Sequence, residues 1–283
     1  MKDRIFRATL FLAAGLIVLL TAGIVYGLVS QSMDALTHFG PLHFITSPAW
    51  DSRSDDYGAL SFIAGTLLTA VLALAFCIPF SFSASLFNGE YFRGRKIATV
   101  VGSIVDLLAG VPSIVFGLWG FYTLRPLLAG AGGQGFGILL ASIVLAIMII
   151  PYASSLSAEF IAMTPSELKE GAYSLGATRM EVVRYVSLPV AGSGILASYM
   201  LAFGRALGET MAVTMLIGNT NNLPHGLTDT GNTMASIIAN QFGEAGGLKL
   251  SSLMAIGLLL FLLTATINFL SKYILKCVTL SKS

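Results

Sequence analysis

Arg205 and Glu209 stand where charge is hardest to justify. They belong to the run Gly204-Arg205-Ala206-Leu207-Gly208-Glu209-Thr210, inside a stretch of roughly 190–218 that is otherwise largely apolar. On a continuous helix a separation of four places both on one face. An arginine preceding a glutamate is the weaker order, worth a few tenths of a kcal/mol, whereas each charge near the centre of a membrane helix costs about 2.5–3.5 kcal/mol on insertion scales. Local helix support therefore does not explain the pair. Two explanations remain open: a structural ion pair holding helices together, or an anion path. In the second, the planar fork of Arg205 meets an oxyanion through two parallel hydrogen bonds, and Glu209 keeps that arginine from trapping it.

Other polar residues fall inside apolar stretches. Asp106 lies about 13 Å from the nearer end of its segment at 1.5 Å per residue. It either pairs with Arg205 in one conformation or serves packing and hydrogen bonding. Thr210, Thr214 and Ser113 are candidate hydroxyl donors along a path, although hydroxyls in membrane helices more often bond their own backbone.

Catalytic and metal chemistry find little support. Cys77 and Cys277 are far apart in apolar surroundings, and His38, His43 and His225 have no ligand spacing. No Gly-x-x-x-x-Gly-Lys-Ser/Thr run, His-Glu-x-x-His motif or Gly-x-Ser-x-Gly elbow occurs. The expectation is a chain that is not an enzyme and has no metal and no cofactor of its own.

The elements that position these residues follow from composition. The 283 residues are 55% hydrophobic and only 11% charged, with mean hydropathy +0.82; a soluble domain carries about 25% charged residues. The net charge of +2 supplies no basic patch for nucleic acid. Six apolar windows, approximately 8–29, 61–88, 98–123, 136–163, 190–218 and 250–276, are each long enough to cross a bilayer as a helix. None alternates as a barrel strand would. The first window exceeds a signal-peptide core of about 7–15 residues and reads as an uncleaved helix. The fold class expected is an all-α integral membrane protein with six transmembrane helices.

Twelve of the sixteen basic residues gather on one side: Lys2, Arg4, Arg7, Arg93, Arg95, Lys96, Lys169, Arg179, Arg184, Lys272, Lys276 and Lys282. The positive-inside rule places both termini in the cytoplasm. Pro79, Pro112 and Pro151 fall inside the second, third and fourth windows. Their bends either serve packing or make these spans line a cavity. The 30–57 loop, with Phe39, Phe44, Trp50, Asp51, Arg53, Asp55 and Asp56, reads as solvated with interfacial aromatics.

The segment Met163–Pro189 has its own architecture. Thr164 with Glu167 fits a capping box with Pro165 at the first helical position, opening a helix to about Leu175. Gly176 supplies a left-handed stop. Thr178 with Glu181 fits a second capping box, opening a helix to about Ser187, and Pro189 marks the next span. The exposed surface should mix Leu168, Tyr173 and Leu175 with Lys169 and Glu170. Such an element suits docking of a partner or an amphipathic rest on the membrane surface.

Within it, Glu170-Gly171-Ala172, Gly176 and Leu188-Pro189 resemble the EAA motif of ABC importer permeases, with Gly171 in place of Ala and Val186 in place of Ile. Gly58 to Leu67, Val111 to Gly120, Gly204 to Thr214 and Ala235 to Phe242 resemble the phosphate-importer permeases of the PstC type. The likeness spans about 57–276. It implies a type I ABC importer permease (MetI-like) fold in a bacterial inner membrane, multi-pass and in contact with membrane lipid. It implies an N-terminal helix and extracytoplasmic loop over 1–57, a permease core over 58–276, and a cytoplasmic tail over 277–283. It further implies a PstA-type permease as heterodimer partner and two PstB-type ATPases that bind the ATP. The ATPases would receive the coupling loop, about 164–188, through Glu170, Gly171, Ala172, Gly176, Leu188 and Pro189. A phosphate-binding protein would dock on the extracytoplasmic face, and Arg205, Glu209, Asp106, Thr210 and Ser113 would line the path. Rival expectations are a sulfate or molybdate importer of the same architecture and a secondary transporter acting alone.

Overall fold

A computed structural model describes residues 2–130 and 134–280. Lys282 and the rest of the expected tail beyond residue 280 lie outside the described residues. So do the side chains of Lys2, Arg4, Lys276 and Cys277.

The chain is a multi-pass bundle of helices. Helix α1 (Lys2–Phe39) continues ten residues past its expected end at 29, so it is about 57 Å long. A short α2 (Pro41–Thr46) follows, then a small antiparallel hairpin, β1 (Trp50–Asp51) and β2 (Asp56–Tyr57). This segment departs from the solvated loop expected. Phe44 and Tyr57 are buried, and Trp50 packs edge-on against Tyr57 and Phe62 while its indole donates to Gln241 Oε1 at 3.0 Å. Burying so much aromatic surface anchors the hairpin to the bundle.

Helix α3 (Leu60–Leu86) runs unbroken through Pro79 and ends in a π turn, Phe87–Tyr91. Helix α7 (Ile138–Ala162) is likewise unbroken at Pro151. The third apolar window behaves differently. It divides into α4 (Lys96–Gly110) and α5 (Ser113–Trp119), the latter running through a π turn, Gly120–Leu124, into α6 (Arg125–Ala129). The two halves meet at 95°. Val111 takes an extended conformation, φ −71° and ψ 128°, as sterics before proline require. Pro112 is thus a break and not a gentle bend.

The basic end of the bundle carries α8 (Ser166–Ser174) and α9 (Arg179–Val182). A π turn, Val183–Ser187, joins α9 to α10 (Leu188–Leu207), giving one continuous helix from 179 to 207. Pro189 stands in the first turn of α10, at the entry expected, although the helix runs through it without a break. The widened turn before it leaves room for a ring that would collide with the carbonyl four residues earlier in a regular helix.

The fifth window is also interrupted. Helix α10 stops at Leu207, and α11 (Met211–Leu216) starts after Gly208-Glu209-Thr210. Helix α12 (Met234–Gln241) and the long α13 (Gly247–Leu280) follow. Among the described residues five continuous helices are long and apolar enough to cross a membrane, and a sixth span is added if α4 to α6 count as one broken span.

Among the described residues two apolar cores hold the bundle. The larger joins α3, α7, α10 and α11 through Cys77, Leu145, Ile149, Tyr199, Ala202 and Leu216; the Cys77 thiol is free. The other, at the hairpin end, gathers Phe44, Tyr57, Phe62, Ile237 and Ile256. Helix α1 packs mainly on α13, tied by Ser251 Oγ, which accepts from Ala35 N at 3.0 Å and donates to Gln31 O at 2.7 Å. Its apolar side chains, Leu12 and Leu16 among them, stay exposed, which suits lipid and not water.

Candidate functional site

Arg205 occupies the last turn of α10 and is exposed on the bundle surface. Its guanidinium lies 4.3 Å from the ring centroid of Tyr152 on α7. Tyr152 is ten residues from the basic end of α7 and fourteen from the other end. At 1.5 Å per residue that is about 15 and 21 Å, so Arg205 sits near the middle of the length of α7.

The interruption after Leu207 separates Arg205 from Glu209. The expected shared helical face does not exist, because helical geometry ends between them. Glu209 instead turns to α11, where its Oε1 accepts from the Ala212 amide at 3.4 Å. Among the described residues the ion pair found joins Lys169 to Glu90, at the basic end. Arg205 is therefore not neutralised by Glu209 in this conformation.

Asp106 does not reach Arg205 either. Its Oδ1 accepts from Ser155 Oγ at 3.3 Å. Ser155 is one turn from Tyr152 on α7, and Tyr152 in turn donates to Ala109 O at 3.3 Å. Ala109 lies in the last turn of α4, where the break at Pro112 leaves carbonyls without helical partners. Asp106, Ser155, Tyr152 and Arg205 thus form one polar strip across α4, α7 and α10.

Thr210 Oγ1 donates to Gly208 O at 3.2 Å within the interruption. Thr214 is committed to structure, with its hydroxyl near Thr210 O at 2.7 Å and Ser236 Oγ at 2.9 Å. Ser113 is the half-buried first residue of α5. Gly117 of α5 packs on Ala212 and Met215, and Gly120 packs on Leu216. The two segments therefore run parallel, which places Ser113 at the same end as the Gly208–Thr210 interruption. The broken spans resume at a common level.

Beyond them, toward the hairpin end, lies an open cavity of about 760 Å³ lined by Phe121, Phe136, Thr214, Asn219 and Thr220 among others. Arg125 stands beside it, its guanidinium 3.9 Å from the ring centroid of Phe136 and 4.9 Å from that of Phe121.

At the basic end, the second capping box is present in full. Glu181 Oε2 accepts from both the amide and the hydroxyl of Thr178 at 2.7 Å, and the Glu181 amide donates back to Thr178 Oγ1 at 3.4 Å. These bonds, the backbone one foremost, hold the Glu181 carboxyl below its ordinary value of 4.5. Gly176 has φ +86°, and the amides of Gly176 and Ala177 donate to the carbonyls of Tyr173 and Ala172 at 2.9 and 3.1 Å. This is a Schellman closure, which needs a left-handed residue at that point.

The first expected capping box is absent. Helix α8 starts at Ser166 after Pro165, with no side-chain cap, because Thr164 is buried at 4% exposure and turned inward. Glu170, Gly171, Leu175 and Gly176 are exposed, Ala172 is half-buried, and Leu175 at 91% exposure is the most prominent apolar side chain of the segment. Lys169 departs from the exposed position expected; it is drawn against Glu90. Leu188 and Pro189 lie within the continuous helix entering the membrane.

Tyr152, Ser155 and Glu90 were not foreseen. A signal for the first two exists: Tyr152, Ser155 and Glu159 recur at helical spacing in an otherwise apolar span.

Helices interrupted midway along the bundle, an arginine exposed at that level and a capped helical element at the basic end are consistent with a transport permease. The chain belongs to the family of binding-protein-dependent transport system inner membrane components, whose model matches residues 78–279. It is 40% identical to the phosphate transport system permease protein PstC of Haemophilus influenzae, over 95% of this chain and 92% of that protein. It is 38% identical to PstC of Mesorhizobium japonicum, over 97% and 90%. Among solved structures it resembles the inward-facing MetNI methionine ABC transporter, with TM-score 0.58 at 19% identity, covering 78% of this chain and 94% of that one. An amino acid ABC transporter gives TM-score 0.56 at 20% identity, over 77% and 92%. The fold is that of the MetI-type ABC importer permeases.

Proposed function

We propose that this chain is a permease subunit of an ATP-driven inorganic phosphate importer. The observation that carries the proposal is the seat of Arg205: a guanidinium near the middle of the length of α7, exposed on the chain's surface and not neutralised by Glu209. Relatives named as phosphate transport permeases, alike over nearly the whole chain, supply the substrate. A phosphate oxyanion offers the paired acceptors that a guanidinium fork matches. Asp106, Ser113, Glu209 and Thr210 are assigned to the same path.

A second permease of the PstA type would close the exposed face of Arg205. Two PstB-type ATPases would bind the ATP and receive the 164–188 element through Glu170, Gly171, Ala172, Gly176, Leu188 and Pro189, with Leu175 as an apolar anchor. A phosphate-binding protein would dock at the hairpin end. Both termini would face the cytoplasm, since Arg93, Arg95, Lys169, Arg179 and Arg184 collect at the 164–188 end. Residues 58–276 form the permease core in this assignment, with 1–57 an added helix and loop, and 277–283 a tail. The chain itself catalyses nothing and carries no cofactor.

The test is uptake by the reconstituted complex carrying Arg205→Gln. The complex should assemble and hydrolyse ATP while phosphate uptake is lost. Normal uptake would refute the role of Arg205. Transport of sulfate or molybdate that phosphate fails to compete would move the chain to another oxyanion. Uptake by the chain alone in liposomes without ATP would favour a secondary carrier.

A further inference from the structure

The π turn that ends α3 is fastened to the 164–188 element by an unusual density of polar contacts. Lys169 Nζ meets Glu90 Oε2 at 2.7 Å, and the two side chains are only 15% and 7% exposed. Arg179 donates to the carbonyls of Tyr91 and, at 3.4 Å, Glu90. Its guanidinium lies 4.6 Å from the ring centroid of Tyr91, whose hydroxyl donates to Met180 Sδ at 3.5 Å. Arg93 reaches the other way and donates to Ala162 O, at the end of α7, at 2.7 Å. Below them Gly89 lies so close to the Ala158 carbonyl that a side chain there would collide with backbone.

Most ion pairs on a surface contribute little, because water screens them and long side chains resist ordering. This pair is different. Both charges are largely withdrawn from water, so removing one leaves the other uncompensated. The contacts also span separate elements: the end of α3, the end of α7, α8 and α9. Sliding α8 and α9 past α3 would break the ion pair, the Arg179 bonds and the ring contact together.

We infer that Glu90, Lys169 and Arg179 form an internal clamp that joins the ATPase-docking element to the end of α3, so that displacement of the element moves α3 along with α7 and α10. Glu90 and Lys169 are positioning residues; neither touches the transported anion. The inference rests on the reading of 164–188 as the docking element. It goes beyond that reading by naming the second attachment through which motion enters the bundle.

The experiment compares the reconstituted complex carrying Glu90→Gln, Lys169→Met or the exchange Glu90→Lys with Lys169→Glu. Co-purification of the ATPase with the unaltered chain tests docking separately, and its failure would overturn the docking reading alone. With docking present, phosphate transported per ATP hydrolysed is measured. The clamp predicts a fall of about fivefold or more in each single variant, with at least half restored by the exchange. A merely structural pair would change the amount of complex but not this ratio. An unchanged ratio in both single variants, or an exchange no better than they are, would overturn the clamp. If the single variants fail to accumulate, the exchange decides: a normal ratio supports the clamp and a low one refutes it.

Discussion

The guanidinium of Arg205 rests 4.3 Å from the centre of the Tyr152 ring, and the hydroxyl of that same tyrosine donates to the Ala109 carbonyl at 3.3 Å. One side chain therefore connects the charge on α10 to the carbonyl exposed where α4 breaks. A ring face attracts a cation without neutralising it, worth about 0.5–2 kcal/mol. The arginine is held in place yet keeps its donors available, which a carboxylate partner would not permit.

Substitutions at Tyr152 should separate these two duties. Tyr152→Phe keeps the ring and frees the Ala109 carbonyl, so uptake should stay near normal while stability falls by about 1 kcal/mol. Tyr152→Leu removes the seat of Arg205, and initial uptake at low anion concentration should drop several-fold, in line with about 1 kcal/mol. Concentration-dependent uptake in proteoliposomes measures both. Equal uptake by the two variants would show that the ring does not position Arg205.

Gly176→Ala should loosen the end of α8. A left-handed residue bearing a β-carbon costs about 1–2 kcal/mol, and φ is +86° here. The Ala177 amide, bonded to Ala172 O, should exchange its hydrogen several times faster. Amide exchange by mass spectrometry is the check, and unchanged protection would mean the turn tolerates a side chain.

The Thr178–Glu181 box has a pH signature. Hydrogen bonds to the ionised carboxylate lower the folded value of Glu181 below 4.5. A group lowered on folding contributes stability above its unfolded value and loses it as pH falls through the folded one. The cap should therefore hold across neutral pH and fail only in acid below the ordinary carboxylate range. An NMR titration of the labelled Glu181 carboxyl should show the depressed value, and Thr178→Val should move it back toward 4.5.

Gly65→Ala should destabilise the hairpin end. A β-carbon there would run into the Asn232 carbonyl, beside the bond from the Met234 amide to Thr66 Oγ1 at 2.9 Å. Overpacking of this kind costs about 1–3 kcal/mol. Gly15→Ala on α1, where nothing lies within 4 Å, should leave stability unchanged or slightly improved. Thermal unfolding of the purified chain in detergent compares the two.

Local chemistry was legible where it stayed local. The apolar windows announced the membrane segments, Gly176 announced its turn, and Thr178 with Glu181 announced a cap, because each depends on residues a few positions apart. The same logic failed at Thr164, where burial of the side chain removed it from capping duty. It failed again at Arg205 and Glu209, whose spacing of four meant one face only while the helix continued. Nothing apart from Gly208 marked the interruption between them.

The sequence by itself determined that this chain is a multi-pass membrane protein, which stretches are apolar enough to cross, and that a capped helical element follows the fourth of them. Hydropathy, proline and glycine act through near neighbours and lipid, so linear order is enough to read them. Only the tertiary structure decided that Arg205 sits on Tyr152 and not on Glu209, and that Asp106 turns to Ser155. It also decided that Lys169 reaches across 79 positions to Glu90. Those pairings depend on which helices lie side by side and where each one breaks. That is a property of the packed bundle, and no spacing along the chain encodes it.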